Sequence, residues 1–275
     1  KLEDADRDVR RRTAEAIGRG LEENADRLDD IYDRLVKIRD GIAKKLGYKN
    51  FVELGYYRMN RLDYDADMIR HFRENVARDL VPAVSRVKAE LAAELGIPDF
   101  KFYDDAVSAA GVTVRPHLSV DEIFAAAREM YHDMNPEIGR FMDEMCEAGA
   151  FDVMPREGKW GGGYCTSFPA YKQPFILANF NGSCGDIDVI THEFGHALAA
   201  NFVFHGGDME LDVGGMETAE CHSMSMEFLC WKYMDKFFGD EADKYRRKHL
   251  LSALSFIPYG VIVDEFQQNV YEHPE

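Results

Sequence analysis

The sequence contains no apolar run near the roughly 18 residues needed to cross a bilayer, so no membrane-spanning role is expected. It has no internal repeat at solenoid periods and no low-complexity tract, which excludes repeat architectures and general disorder. Cysteine is scarce: five residues, an odd number, widely spaced and without a C-x-x-C pair. That pattern excludes a secreted disulfide framework and favours reduced thiols in the cytoplasm. Basic residues are outnumbered, 33 against 50 acidic, for a formal net charge of −17. No basic patch is concentrated anywhere along the chain, and such a field repels a phosphate backbone, so nucleic acid is not an expected partner.

What remains is a chain of 275 residues with 46% hydrophobic content, enough to bury a real core. Its first part, residues 1–149, reads as helices. Leu21, Leu28, Ile31, Leu35, Ile38, Ile42 and Leu46 recur at spacings of three, four and seven, which predicts one amphipathic helix stopped by Gly47. Asn50 can cap a short helix through Phe51–Leu54. A long helix is expected over 66–95, kinked at Pro82. Ser119 and Glu122 form a capping box, and Asn135-Pro136 starts a further helix that Gly149 ends.

Composition shifts near residue 150, and residues 150–275 read as a second region. Segments 151–154 and 174–180 are short strands, with a loop at Gly161-Gly162-Gly163 between them. The strand at 174–180 is a candidate edge onto which another backbone can add. Tyr164, Phe168 and Tyr171 are candidates for lining a channel, and the glycine loop is a candidate cover over it. From Asp186, expected to cap the next helix, helical pattern resumes.

The segment Thr191-His192-Glu193-Phe194-Gly195-His196 carries the chemistry. Residues four apart on a helix lie about 40° apart around its axis, so His192 and His196 can aim two imidazoles at one ion. Glu193, beside the first, is near enough to take a proton from water there without being a ligand. This is the H-E-x-x-H arrangement of zinc hydrolases. Ile187, Ile190, Phe194, Ala197 and Leu198 form an apolar stripe behind it, and Gly195 suggests a close backbone approach. A catalytic zinc takes three protein ligands and keeps one position open. Glu217, Glu220 and Glu227 read as one face of a second, buried helix, and any of the three can be the third ligand while another holds a ligand imidazole from behind. His222 is a candidate for binding substrate or ordering the site.

His192-Glu193-Phe194-Gly195-His196 with Glu220-Cys221-His222-Ser223-Met224-Ser225-Met226-Glu227-Phe228 resembles the oligoendopeptidase F branch of the thimet oligopeptidase family. The resemblance extends through Gly163-Tyr164-Cys165, the segment 174–180, Lys45–Tyr48, Glu53–Tyr56, Phe256–Gly260 and Asp264–Phe266. Ala199 stands where the thimet branch often has a further His, which favours the oligoendopeptidase F side. The resemblance implies a mainly α, zincin-like fold with a small sheet beside the active-site helix. It also implies a deep channel, with residues 1–149 as one wall and residues 150–275 holding the metal. It implies one zinc ion on His192, His196 and Glu220, with Glu193 as general base and acid. Glu217 and Glu227 then stand behind the ligands, and Tyr164, Phe175 and His222 are candidates for contacting substrate. Short peptides are the implied substrates. The family's further His and Tyr, which bind substrate and stabilise the oxyanion, are expected beyond Glu275. The competing reading is a non-catalytic or incomplete helical homologue that keeps the metal site, and metal analysis with Glu193→Gln separates the two.

Overall fold

In the computed structural model, which describes residues 1–105, 107, 114–206 and 215–275, helix boundaries fall where side chains can cap them. Asp6 opens α1 (Arg7–Glu22) by accepting from the amide of Asp8. The expected helix through Leu21–Leu46 is in fact interrupted, and α2 (Ala25–Lys45) begins anew. The cause is Asn24, whose side-chain amide donates to the carbonyl of Gly20 and closes α1. Apolar spacing runs across the break because Leu21 and Leu28 are a heptad apart, so periodicity alone does not register it. Gly47, at φ 90°, ends α2 in a conformation open to glycine. Asn50 caps α3 (Phe51–Arg58). The kink expected at Pro82 takes the form of a π turn, Val76–Leu80, between α4 (Ala66–Asn75) and α5 (Val81–Glu94). Proline cannot donate to the carbonyl four residues back, and the wider turn absorbs the mismatch.

The capping box at Ser119 and Glu122 starts α6 (Val120–Met134), and Asn135 caps α7 (Pro136–Glu147). Three strands follow: β1 (Phe151–Asp152), β2 (Tyr164–Phe168) and β3 (Gln173–Leu177). Their order is β1-β3-β2, with β1 parallel and β2 antiparallel to β3, and Ile176 lies opposite both Phe151 and Cys165. The expected edge at 174–180 is therefore the sheet's centre. Among the described residues the edges belong to β1 and β2, and the sequence pattern assigns no strand to β2. Then come α8 (Gly185–Gly206), α9 (Met216–Ala219), α10 (Cys221–Leu229), α11 (Asp235–Phe238) and α12 (Ala242–Glu272). The chain is mainly α with one small sheet, as expected. No helix among the described residues is long and apolar enough to cross a membrane.

Contacts divide the chain into two units, Lys1–Thr113 with Lys248–Glu275, and Val114–Arg247. The composition shift near residue 150 falls inside the second unit, because α6 and α7 share a core with α8: Tyr131, Phe141, Met142 and Met145 are buried with Ile190 and Phe194. The rings of Tyr131 and Phe194 lie 4.1 Å apart, and burying a side chain of that size stabilises by roughly 1.5–3 kcal/mol. The first unit has a smaller core of Val36, Ala43, Phe51 and Tyr271. On α2 the packed face is thus Tyr32, Val36 and Ala43. The stripe Leu28, Ile31, Leu35, Ile38 and Ile42, the apolar face that the spacing picks out, is 41–56% exposed.

Candidate metal centre

Ile187, Ile190, Phe194 and Ala197 are all buried, so the hydrophobic effect fixes which side of α8 faces the core. The opposite side presents His192 and His196, with side chains 26% and 23% exposed and rings 5.0 Å apart. Asp186 does not cap α8 as expected. It lies in the first turn, and its carboxylate accepts from the amides of Asn181 and Gly182, fastening the preceding loop. Gly195 has the close approach its cost suggested. A Cβ there would meet the Ser223 Cα at 2.7 Å and the His222 carbonyl oxygen at 2.9 Å. The backbone of α10 is seated on α8 at this point.

That seat brings the acids in. The expected single acidic helix is split, with Glu220 at the junction of α9 and α10. Its Oε2 lies 2.9 Å from His192 Nε2 and 3.2 Å from His196 Nε2. Ligand atoms of His192, His196 and Glu220 lie within 4.8 Å of one another. Behind them, His192 Nδ1 is 2.6 Å from Glu227 Oε1, and His196 Nδ1 is 2.9 Å from His222 Nε2. The Ser223 hydroxyl lies 2.7 Å from Glu220 Oε2. Two imidazole nitrogens and one carboxylate oxygen are donors that zinc accepts, and the outer ring nitrogens already have partners. On the chemistry of its donors, the trio fits a zinc ion.

Glu193 stands apart from that trio and is 7% exposed. Burial holds its carboxyl above the ordinary range, although His192 and the backbone amide of Cys165 pull the other way. For His192, burial lowers the pKa but the Glu227 hydrogen bond, with the charges of Glu227, Glu193 and Glu220, outweighs it and leaves it raised. His196 is lowered, chiefly by burial. Burial favours the neutral form of Glu220, yet the Ser223 hydroxyl and the two imidazoles hold its pKa down. Burial, with the nearby charge of Glu193, pushes the Cys165 thiol up to about 12, so it is neither a nucleophile nor a thiolate ligand at neutral pH.

These groups open on a cleft of about 420 Å³. One side is Gly163, Tyr164, Cys165 and Ser167, from β2 and its lead-in, and the other includes His192, Glu193, His196, Ala199, Ala200, Glu220 and His222. Of the sequence candidates for substrate contact, Tyr164 and His222 line the cleft. Phe175 does not, being packed against the core and against Phe168. Phe168 and Tyr171 are exposed but are not part of its lining. Glu217 is exposed on α9, outside the His–His–Glu trio. The glycine loop is tethered, since the Asn179 side-chain amide donates to the carbonyls of Trp160 and Gly162. Ser167 was missed from the sequence, because Tyr164-Cys165-Thr166-Ser167-Phe168 carries no period-two apolar alternation that would mark a strand.

The profile of peptidase family M3 matches residues 1–275. Among solved structures, PZ peptidase A with an inhibitor is 44% identical with a TM-score of 0.95, over 99% of this chain and 49% of that one. A protein designated oligoendopeptidase F from Bacillus anthracis str. Ames is 43% identical with a TM-score of 0.94, over 100% of this chain and 50% of that one. Another protein of that designation is 42% identical with a TM-score of 0.93, over 100% of this chain and 48% of that one. The chain thus spans about half the length of the structures it matches. No curated protein matches it.

Proposed function

Because the chain belongs to peptidase family M3, we propose that it holds the metal-binding and proton-transfer centre of a zinc endopeptidase that hydrolyses short peptides. The observation that carries this reading is one constellation. His192 Nε2, His196 Nε2 and Glu220 Oε2 lie within 4.8 Å of one another, with the buried Glu193 carboxylate beside them but not among them, on the wall of a cleft.

His192 and His196 would hold the ion through Nε2, and Glu220 through its carboxylate. Bound there, zinc supplies Lewis acidity, which polarises a scissile carbonyl and makes water more acidic. Glu193 takes the proton from the attacking water on a carboxylate oxygen and passes it to the leaving amine. Its raised pKa makes it a stronger base than an exposed glutamate, and the Cys165 amide keeps it aimed. Glu227 fixes the tautomer of His192 by accepting from Nδ1. Among the described residues β2 has no strand on its outer side, so an extended peptide can add there through main-chain hydrogen bonds. Such pairing suits sequence-tolerant cleavage of short, unfolded chains. The five cysteines stand as thiols rather than disulfides, which supports a cytoplasmic setting.

The test uses the full-length protein, its zinc content and an internally quenched short peptide. One zinc per chain is expected, lost in His192→Ala and in Glu220→Ala. Glu193→Gln is expected to keep the metal and lose turnover by at least about 100-fold, the scale of general acid–base catalysis. Zinc-free wild-type protein after metal supplementation, or full turnover in Glu193→Gln, overturns the reading.

A further inference from the structure

A ring nitrogen can face an ion only if the tautomer leaves it bare, and each imidazole has one nitrogen to spare for setting that choice. His196 turns Nε2 toward Glu220 Oε2. For that nitrogen to ligate a metal beside Glu220 it must be bare, so Nδ1 would carry the hydrogen, and the atom that meets it is Nε2 of His222, 2.9 Å away. The two rings stand nearly perpendicular, at 80° with centroids 4.9 Å apart, so the lone pair of one points at the edge of the other. We propose that His222 is the positioning residue of His196. It accepts the Nδ1 hydrogen at its own Nε2 and thereby holds His196 Nε2 bare and aimed at the metal position. This assignment rests on the zinc reading and deepens it.

Two further observations place His222 in a pattern. His192 has Glu227 on its outer nitrogen, and Glu220 has the Ser223 hydroxyl on its Oε2. All three partners, His222, Ser223 and Glu227, come from the nine residues of α10, and α10 is seated on α8 where Gly195 lets the backbones touch. One helix therefore orients all three candidate ligands, and its register against α8 sets them together. The partner's chemistry also follows from charge. Glu193, Glu220 and Glu227 all act on His192 already. An imidazole partner orients His196 without adding a further carboxylate to the cluster of Glu193, Glu220 and Glu227.

The alternative occupation for His222, which lines the cleft, is direct contact with substrate. Zinc affinity separates the two without reference to turnover. In the full-length protein, competition with a chromogenic chelator is expected to show zinc weakened by about 10–100-fold in His222→Ala, the usual cost of removing an outer-sphere partner. His222→Gln is expected to restore most of it, because the Gln side-chain amide reaches where Nε2 stands and its oxygen accepts a hydrogen bond. His222→Asn, which reaches only as far as Nδ1, is expected to stay weak. The visible spectrum of the cobalt(II)-loaded protein should shift in His222→Ala and return in His222→Gln. His222 is exposed, so these variants leave the core intact. Wild-type zinc affinity in His222→Ala, or no recovery in His222→Gln, overturns the assignment while leaving the zinc reading standing. Wild-type protein that takes up no zinc overturns the zinc reading itself and this assignment with it.

Discussion

At the scale of single residues, the histidine pair and Glu193 were legible because α-helical spacing converts sequence separation directly into direction. The carboxylates were less so. Glu217, Glu220 and Glu227 are equivalent on an ideal helix, and what separates them is a break at Glu220 that spacing does not encode. Once the break is known, Glu220 reaches both Nε2 atoms while Glu227 reaches only the outer nitrogen of His192. Glu227→Gln keeps an acceptor of the same length and removes only the charge. It is therefore expected to weaken zinc binding by about 10-fold, the lower end for an outer-sphere change. Chelator competition checks this, and an unchanged constant would mean the anion behind His192 contributes nothing. Phe175 illustrates the opposite case. Alternation on a strand says which residues share a face but not which face meets the cleft, and in the sheet's central strand Phe175 lies on the face opposite Ile176, half-buried against Phe168.

At the scale of elements, capped starts were legible and unpartnered stretches were not. Asn50, Ser119 and Asn135 cap helices because the acceptor and the amide it satisfies are two or three residues apart, a distance the sequence displays. The strand β2 depends instead on pairing with β3, which is a tertiary fact. The seat of α10 on α8 is also tertiary, but Gly195 announces it, since helix interiors disfavour glycine by ~1 kcal/mol without such a reason. Gly195→Ala forces a methyl to 2.7 Å from backbone on the neighbouring helix, and backbone cannot swing away as a side chain does. The expected cost is about 1–3 kcal/mol of stability, the range for overpacking. Zinc affinity should fall with it, because the ligand trio and its partners span that contact. Urea unfolding and chelator competition on one preparation test both halves. A variant as stable as wild type would show that the helices slide apart freely.

At the scale of the whole chain, the excess of acid and one buried ion cluster set how stability changes with pH. With a pI near 5.0 and a net charge of −17 at neutrality, lowering pH from 7 toward 5 relieves self-repulsion. Asp104 responds only below that. Its carboxylate is fully buried and ties Arg7 and Arg10 to a position more than ninety residues away in sequence. Burial alone would raise its pKa, but hydrogen bonds from Arg7, Arg10 and the Lys101 amide hold it at about 2. A group whose folded pKa lies below its unfolded value of about 3.9 stabilises above that value and loses its contribution as pH falls through the folded one. Holding the carboxyl at about 2 rather than about 3.9 corresponds to roughly 2.5 kcal/mol, present at pH 5 and mostly lost by pH 2. Both effects point to a stability maximum near pH 5 and a steep loss below pH 4, where positive charge also accumulates. Asp104→Asn leaves the Arg10 guanidinium, 2% exposed, without its anion, and should cost about 3 kcal/mol at neutral pH. That variant should also lack the Asp104 share of the loss between pH 4 and pH 2, so its curve and the wild-type curve converge in acid. Urea midpoints at a series of pH values measure the convergence, and two curves that stay parallel to the lowest pH would show that the arginine pair does not hold this carboxylate charged.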